Sequence, residues 1–240
     1  MKFTELKNFL SEGGSGVFLL SGDDAYFLTR AEAMIKKAYL QLPELNFASF
    51  DGESLKGQSI QKLTDALSAF PFMAEKRIVR VSEFYPSDGD YEKYLKPFID
   101  NFPDTAILII VNTQAKKGAV DLKRKKGITF VDCGRADEEE VTRWIYLTLK
   151  RAGIAAEAEA CINIARYCLC NMSRVAIETQ KIIIYKGGAG TLTAKEADEL
   201  VFKDADYRVY EMTNAVSAKN FSRFYEIADE LTVKGMDSMS

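Results

Sequence analysis

The run at 105–111, Thr-Ala-Ile-Leu-Ile-Ile-Val, is the most hydrophobic stretch of the chain. It is apolar at both odd and even positions and rich in β-branched residues, so as a strand it has no face to offer to water. Such a segment fits the middle of a parallel sheet covered on both sides. Four other runs of strand length flank it in sequence: 17–20 (Val-Phe-Leu-Leu), 47–50, 78–81 and 128–131. Helical patterns separate them. Strand and helix alternating through residue 132 predict a three-layer α/β domain, a parallel five-stranded sheet flanked by helices.

The connecting segments carry their own signals. Residues 1–12 place Phe3, Leu6, Phe9 and Leu10 on one helical face, stopped at Gly13-Gly14, and Asp23 and Asp24 are positioned to cap a helix over 25–40. Ile60, Leu63, Leu67 and Phe70 recur at three- and four-residue steps, predicting one buried helix face ending at Pro71, and 91–102 is a further helix. After Gly134 the pattern changes to four helical segments with no strand between them. The first opens at Asp137 and carries Val141, Ile145, Leu149 and Trp144, the last expected to anchor the core; the next two span 157–170 and 173–185. Thr193 followed by Glu196 is a capping box for the fourth, over 194–203. This layout predicts an α/β domain at 1–134 and a small all-helical domain at 135–205. Two helices over 206–240 are too few to bury a core of their own, so this part is expected to be cut short or to lean on a partner.

Composition excludes several functions. A net charge of −3 makes the chain no general binder of nucleic acid or membranes. No window approaches the eighteen or so uninterrupted apolar residues of a membrane span, and the first residues lack the layout of a secretion signal, so a soluble cytoplasmic protein is expected. Histidine is absent, which removes the commonest general base, the usual serine and cysteine triads and most zinc sites. Cys133, Cys161, Cys168 and Cys170 show no metal-binding spacing, and Cys161 and Cys168 fall within an apolar helical pattern where buried free thiols are expected.

The turn after the first strand is where a phosphate-binding loop would sit in such a sheet. It reads Ser21-Gly22-Asp23-Asp24-Ala25-Tyr26, with one glycine, no lysine and two carboxylates that repel a triphosphate. The strand at 105–111 leads into Asn112-Thr113-Gln114 and offers no acidic pair for magnesium. If the fold is that of a nucleotide-binding ATPase, its nucleotide site is inactive, and no cofactor is expected.

Pro71-Phe72-Met73 forms the corner between the helix ending at Phe70 and the strand at 78–81. A continued helix would aim Phe72 about 160° away from the buried stripe at about 100° per residue. Two fates are open to this apolar pair: entry into the core, or exposure as a partner site. Lys116, Lys117, Lys123, Arg124, Lys125 and Lys126 put six basic residues around the loop before the last strand, either a solvated turn or a contact for DNA. Glu178 and Lys181, three apart, read as a helix ion pair rather than an acid–base pair.

Four places resemble the delta-subunit family of bacterial DNA polymerase III: Leu-Leu-Ser-Gly-Asp-Asp-Ala-Tyr-Phe-Leu at 19–28, Asn46-Phe47 through Phe50-Asp51-Gly52, Pro71-Phe72-Met73-Ala74-Glu75-Lys76-Arg77-Ile78-Val79, and Glu178 through Tyr185. Their order over roughly residues 15 to 215 carries the likeness. The resemblance implies an AAA+-like, P-loop-NTPase-type first domain, a helical lid, and the start of a truncated collar domain. It also implies a clamp-loader component that binds and opens the sliding clamp (beta subunit) during DNA replication. The implied partners are that clamp, the gamma/tau and delta prime subunits, and DNA in the assembled complex; no membrane is involved. No intrinsic catalysis is implied, only membership of the nucleotidyltransferase holoenzyme. The family's clamp-inserting pair of apolar side chains falls on Phe72 and Met73, beside Pro71, where the second position is commonly phenylalanine. A degenerate AAA+ ATPase and a DNA-binding module are the alternatives.

Overall fold

In the computed structural model, which describes residues 1–203 and 205–233, the chain divides into two compact units, Met1–Gly134 and a second that begins at Arg135. The first is built on β1 (Val17–Ser21), β2 (Phe47–Asp51), β3 (Arg77–Ser82), β4 (Ala106–Asn112) and β5 (Ile128–Asp132). All neighbouring pairs are parallel, in the order β2-β3-β4-β1-β5. The apolar run at 105–111 thus supplies the middle strand. All seven residues of β4 are buried, with Leu108 registered against Val17 on one side and Val79 on the other.

Side chains alternate across a strand, and the two faces of β4 are filled separately. Leu108 and Ile110 join Val79 and Val81 of β3 and Leu63 and Leu67 of helix α4 (Gln61–Ser68) in one cluster. The N-terminal helix α1 (Leu6–Ser11) buries Leu6. Helix α2 (Ala25–Tyr39) buries Phe27, Leu28, Ala31 and Ile35, a stripe at helical spacing, and starts where the Asp24 carboxylate accepts the Tyr26 N–H at 2.9 Å. A fully buried side chain of the size of Leu6 or Ile35 contributes about 1.5–3 kcal/mol.

Helix α4 departs from the sequence reading. It stops at Ser68, Ala69 is extended, and Phe70 is 85% exposed instead of completing the buried face. The cause is Pro71: its ring disfavours the helical region for the residue before it, so the turn that would have brought Phe70 inward never forms. Short α3 (Pro43–Asn46) leads into β2. The helix expected over 91–102 is also broken up. Short α5 (Asp88–Asp90) passes through a π-helical turn, Tyr91–Leu95, into α6 (Lys96–Asp100), where Pro97 withholds the amide that a continuous α-helix needs.

The second unit is helical: α7 (Glu138–Arg151), α8 (Ala158–Tyr167), α9 (Met172–Lys186) and α10 (Ala194–Leu200), then α11 (Ala205–Ser217) and α12 (Phe221–Val233). The Thr193 box closes α10 as its spacing requires: the Glu196 N–H donates to Thr193 Oγ1 at 3.2 Å and the Thr193 N–H to Glu196 Oε2 at 3.0 Å. Glu178 and Lys181 are ion-paired. Two features escaped the sequence. Short strands β6 (Ala155–Ala156) and β7 (Thr191–Leu192) pair in parallel. Val141, Ile145 and Leu149 form the buried face of α7, while Trp144 is only half-buried and does not anchor the core. Among the described residues no helix is long and apolar enough to cross a membrane.

Candidate functional site

Phe72 is 56% exposed and Met73 81% exposed, with Phe70 beside them in sequence and Pro71 half-buried between. Of the two fates open to the apolar corner, exposure is the one adopted. Phe70 is the residue that sequence reasoning missed. The signal was present in Pro71, which biases its predecessor toward extended backbone and so away from the helix face to which periodicity had assigned it.

The loop is exposed in its side chains and tied down in its backbone. The Phe72 N–H donates to Asn46 Oδ1 at 2.7 Å, and Asn46 Nδ2 donates back to the Phe72 carbonyl at 2.9 Å. Met73 follows with φ of +47°, a left-handed conformation that an unbranched side chain reaches only at a cost. At the base of the loop, Arg77 Nε donates to the Ala66 carbonyl at 2.9 Å and its Nη1 to the Leu45 carbonyl at 3.1 Å. These bonds join the end of α4, the end of α3 and the start of β3. The Arg77 N–H itself donates to the Thr105 carbonyl at 2.8 Å, and Lys76 donates to the Asp104 carbonyl. The side chains of Phe70, Phe72 and Met73 are thus exposed, while the Phe72 backbone between them is hydrogen-bonded at both its N–H and its carbonyl.

Glu32 of α2 takes Lys36 at 2.6 Å and Arg80 of β3 at 3.0 Å. Burial by itself would raise the Glu32 carboxyl, but the hydrogen bonds from Lys36 and Arg80 outweigh it and hold the group below its usual range.

The turn after β1 is clasped by the end of β5. The Cys133 N–H donates to the Ser21 carbonyl at 2.9 Å and the Asp24 N–H to the Cys133 carbonyl at 3.2 Å. A Cβ on Gly22 would stand 2.1 Å from the Cys133 carbonyl carbon. The turn at which a phosphate-binding loop would present free amides is occupied here by protein backbone and by the Asp24 carboxylate. Burial and the adjacent Asp132 and Asp24 carboxylates push the Cys133 thiol up to about 12. Asn112, at the end of β4, spends its side chain on Phe84, accepting the Phe84 N–H at 2.9 Å and donating to its carbonyl at 3.0 Å. Among the described residues no group of three or more acidic or thiol side chains is placed to hold a metal ion.

The six basic residues each have their own surroundings, and Lys116 and Lys123 line one surface hollow. Lys116 lies 3.8 Å from Glu53, Arg124 3.2 Å from Asp121, and Lys125 3.6 Å from Glu92 and over the Tyr91 ring. Lys123 lies over the Phe130 ring, and Lys117 and Lys126 are exposed. Carboxylates thus offset part of the positive charge of this loop.

A model of the family described as DNA polymerase III, delta subunit, matches residues 18–129, a span that holds the β1–α2 turn, the exposed corner and the basic loop. The "Probable DNA polymerase III subunit delta" of Aquifex aeolicus (strain VF5) is 20% identical over 230 residues, which are 92% of this chain. The chain spans 65% of the length of that curated relative. Among solved structures, a Bacillus subtilis DNA clamp loader delta protein superposes with a TM-score of 0.73 at 17% identity, covering 98% of this chain and 73% of that one. A RuvB variant from Thermotoga maritima superposes at 0.50 with 12% identity, covering 90% and 74%. At these identities the structural likenesses speak for the fold alone, a parallel five-stranded sheet with a helical second unit. Over its matched stretch and in its fold, this chain is similar to the DNA polymerase III delta-subunit family.

Proposed function

We propose that the chain acts as a clamp-loader subunit that binds the sliding clamp (beta subunit) through Pro71, Phe72 and Met73 and favours the clamp's open form. It would do so in the cytoplasm, assembled with the gamma/tau and delta prime subunits around DNA, with ATP hydrolysis carried by other subunits and no catalysis of its own. The observation that carries this reading is the exposure of Phe72 and Met73 on pinned backbone. Burying two such side chains in a partner's pocket contributes about 3–6 kcal/mol, at about 1.5–3 kcal/mol each. That is enough to shift a conformational equilibrium if the open clamp takes them better than the closed one. Methionine suits the task because its unbranched, polarisable side chain fills irregular pockets. Phe70 extends the apolar surface at the edge of the same corner.

Calorimetric titration of the cognate sliding clamp with the protein, and with variants Phe72→Ala and Met73→Ala, tests the reading. Each substitution is expected to weaken binding at least tenfold, the equivalent of about 1.4 kcal/mol. Unchanged binding by folded variants would remove the assignment. Titration with ATP and magnesium separates this reading from that of a residual ATPase, since binding heat at micromolar protein belongs only to the latter.

A further inference from the structure

Asn46 is wholly buried, yet its carboxamide spends its hydrogen bonds on the exposed corner. Oδ1 accepts the Phe72 N–H at 2.7 Å, and Nδ2 donates to the Phe72 carbonyl at 2.9 Å and to the Gln41 carbonyl at 2.9 Å. Both amide hydrogens are used, and the N–H and C=O of Phe72 are engaged as a neighbouring strand would engage them. Because the partner is one side chain and not a strand, the pairing stops after a single residue. The chain is then free to turn into the left-handed conformation of Met73, which carries that side chain outward. A longer ladder would have drawn the loop onto the sheet edge and buried alternate side chains.

We infer that Asn46 is the positioning residue of the apolar tip: it fixes the Phe72 backbone 26 residues away so that Phe72 and Met73 meet a partner already ordered. The inference rests on the proposed clamp-binding role of that tip. Preordering lowers the entropy lost on docking, so Asn46 acts on affinity without touching the partner. No shorter, longer or charged side chain supplies the same set of bonds. Aspartate keeps an acceptor for the Phe72 N–H but sets a carboxylate against the Phe72 and Gln41 carbonyls.

The test has a readout on the protein alone and one with the sliding clamp. By NMR, the Phe72 amide in the unaltered protein is expected to exchange with solvent at least about tenfold more slowly than a free-chain amide, although its side chain is exposed. Asn46→Ala is expected to abolish that protection and to weaken clamp binding about tenfold, while amides of β3 such as Val81 stay protected. Asn112→Ala removes the matching pair of bonds from buried Phe84 and serves as the control: it lowers stability and leaves the Phe72 amide protected. Asn46→Asp supplies a pH profile if the alanine variant does not fold. Its clamp affinity relative to the unaltered protein is expected to recover on acidification, as the protonated carboxyl regains one donor.

An unprotected Phe72 amide in the unaltered protein overturns the inference, and so does an Asn46→Asp affinity that follows the unaltered protein at every pH. Clamp binding that Phe72→Ala weakens and Asn46→Ala does not overturns it as well, while leaving the docking role of the tip intact. Binding unchanged by Phe72→Ala removes the tip itself, and the positioning role falls with it.

Discussion

Replacing Gly22 by alanine tests how tightly the β1–α2 turn is clasped. The added methyl would lie 2.1 Å from the Cys133 carbonyl carbon, 2.2 Å from its oxygen and 2.3 Å from the Gly134 nitrogen. Ordinary contact begins near 3.4 Å, so the two segments must separate by about 1.3 Å, the difference between those distances. All three obstructing atoms are backbone, and no side chain can swing away. Overpacking of this kind costs about 1–3 kcal/mol. The separation also loosens the bonds from Cys133 to Ser21 and from Asp24 to Cys133, at about 0.5–1.5 kcal/mol each. Gly22→Ala is therefore expected to lose about 2–6 kcal/mol. Urea unfolding followed by circular dichroism, with amide exchange at Leu19 and Leu20 to localise the change to β1, measures it. A loss below about 0.5 kcal/mol, the range of ordinary surface substitutions, would show that the turn and the end of β5 are not held in contact.

Other outcomes follow from the charged and thiol groups. The Glu32 carboxyl is held below its ordinary value of 4.5, so the stability it contributes is fully present above that value and is lost as pH falls through its lowered folded value. Glu32→Gln is expected to cost about 1–3 kcal/mol at pH 7 and to flatten the acid limb of the stability curve, read by urea midpoints across pH. Burial pushes the Cys161 thiol up to about 11 and the Cys133 and Cys168 thiols up to about 12. A thiol-reactive chromophore at pH 8 is accordingly expected to label these three slowly in the native protein and rapidly in urea. Arg77→Met is expected to leave the sheet folded and raise amide exchange between Phe70 and Glu75, because it removes the bonds to Ala66 and Leu45 at the base of the loop.

The sheet was legible because its signals are local and redundant. The β4 run is apolar in both alternations, and only burial on two faces satisfies it. The Asp24 cap and the Thr193–Glu196 box are likewise short patterns with one physical solution. Phe70 was misread because Ile60, Leu63 and Leu67 fix a helical phase that Phe70 also fits, and periodicity carries no information on where a helix stops. Pro71 did, through its effect on the residue before it. The pinning of the corner was not legible: Asn46 reaches Phe72 across 26 residues and Arg77 reaches Leu45 across 32. The positive φ of Met73 has no sequence signal, since methionine carries no left-handed preference. The half-exposure of Trp144 shows a related limit. Size and hydrophobicity mark it for the core, while the narrower stripe of Val141, Ile145 and Leu149 occupies the buried face.

The central claim is that Met73, with Phe72, enters a pocket on the sliding clamp. Methyl-labelled methionine spectra of the protein, recorded with and without the clamp and with Met73→Leu to assign the resonance, test it most directly. The account predicts that the Met73 methyl, now 81% exposed, shifts and broadens on clamp addition, while the methyl of buried Met172 stays in place. A Met73 resonance unmoved at saturating clamp would contradict it.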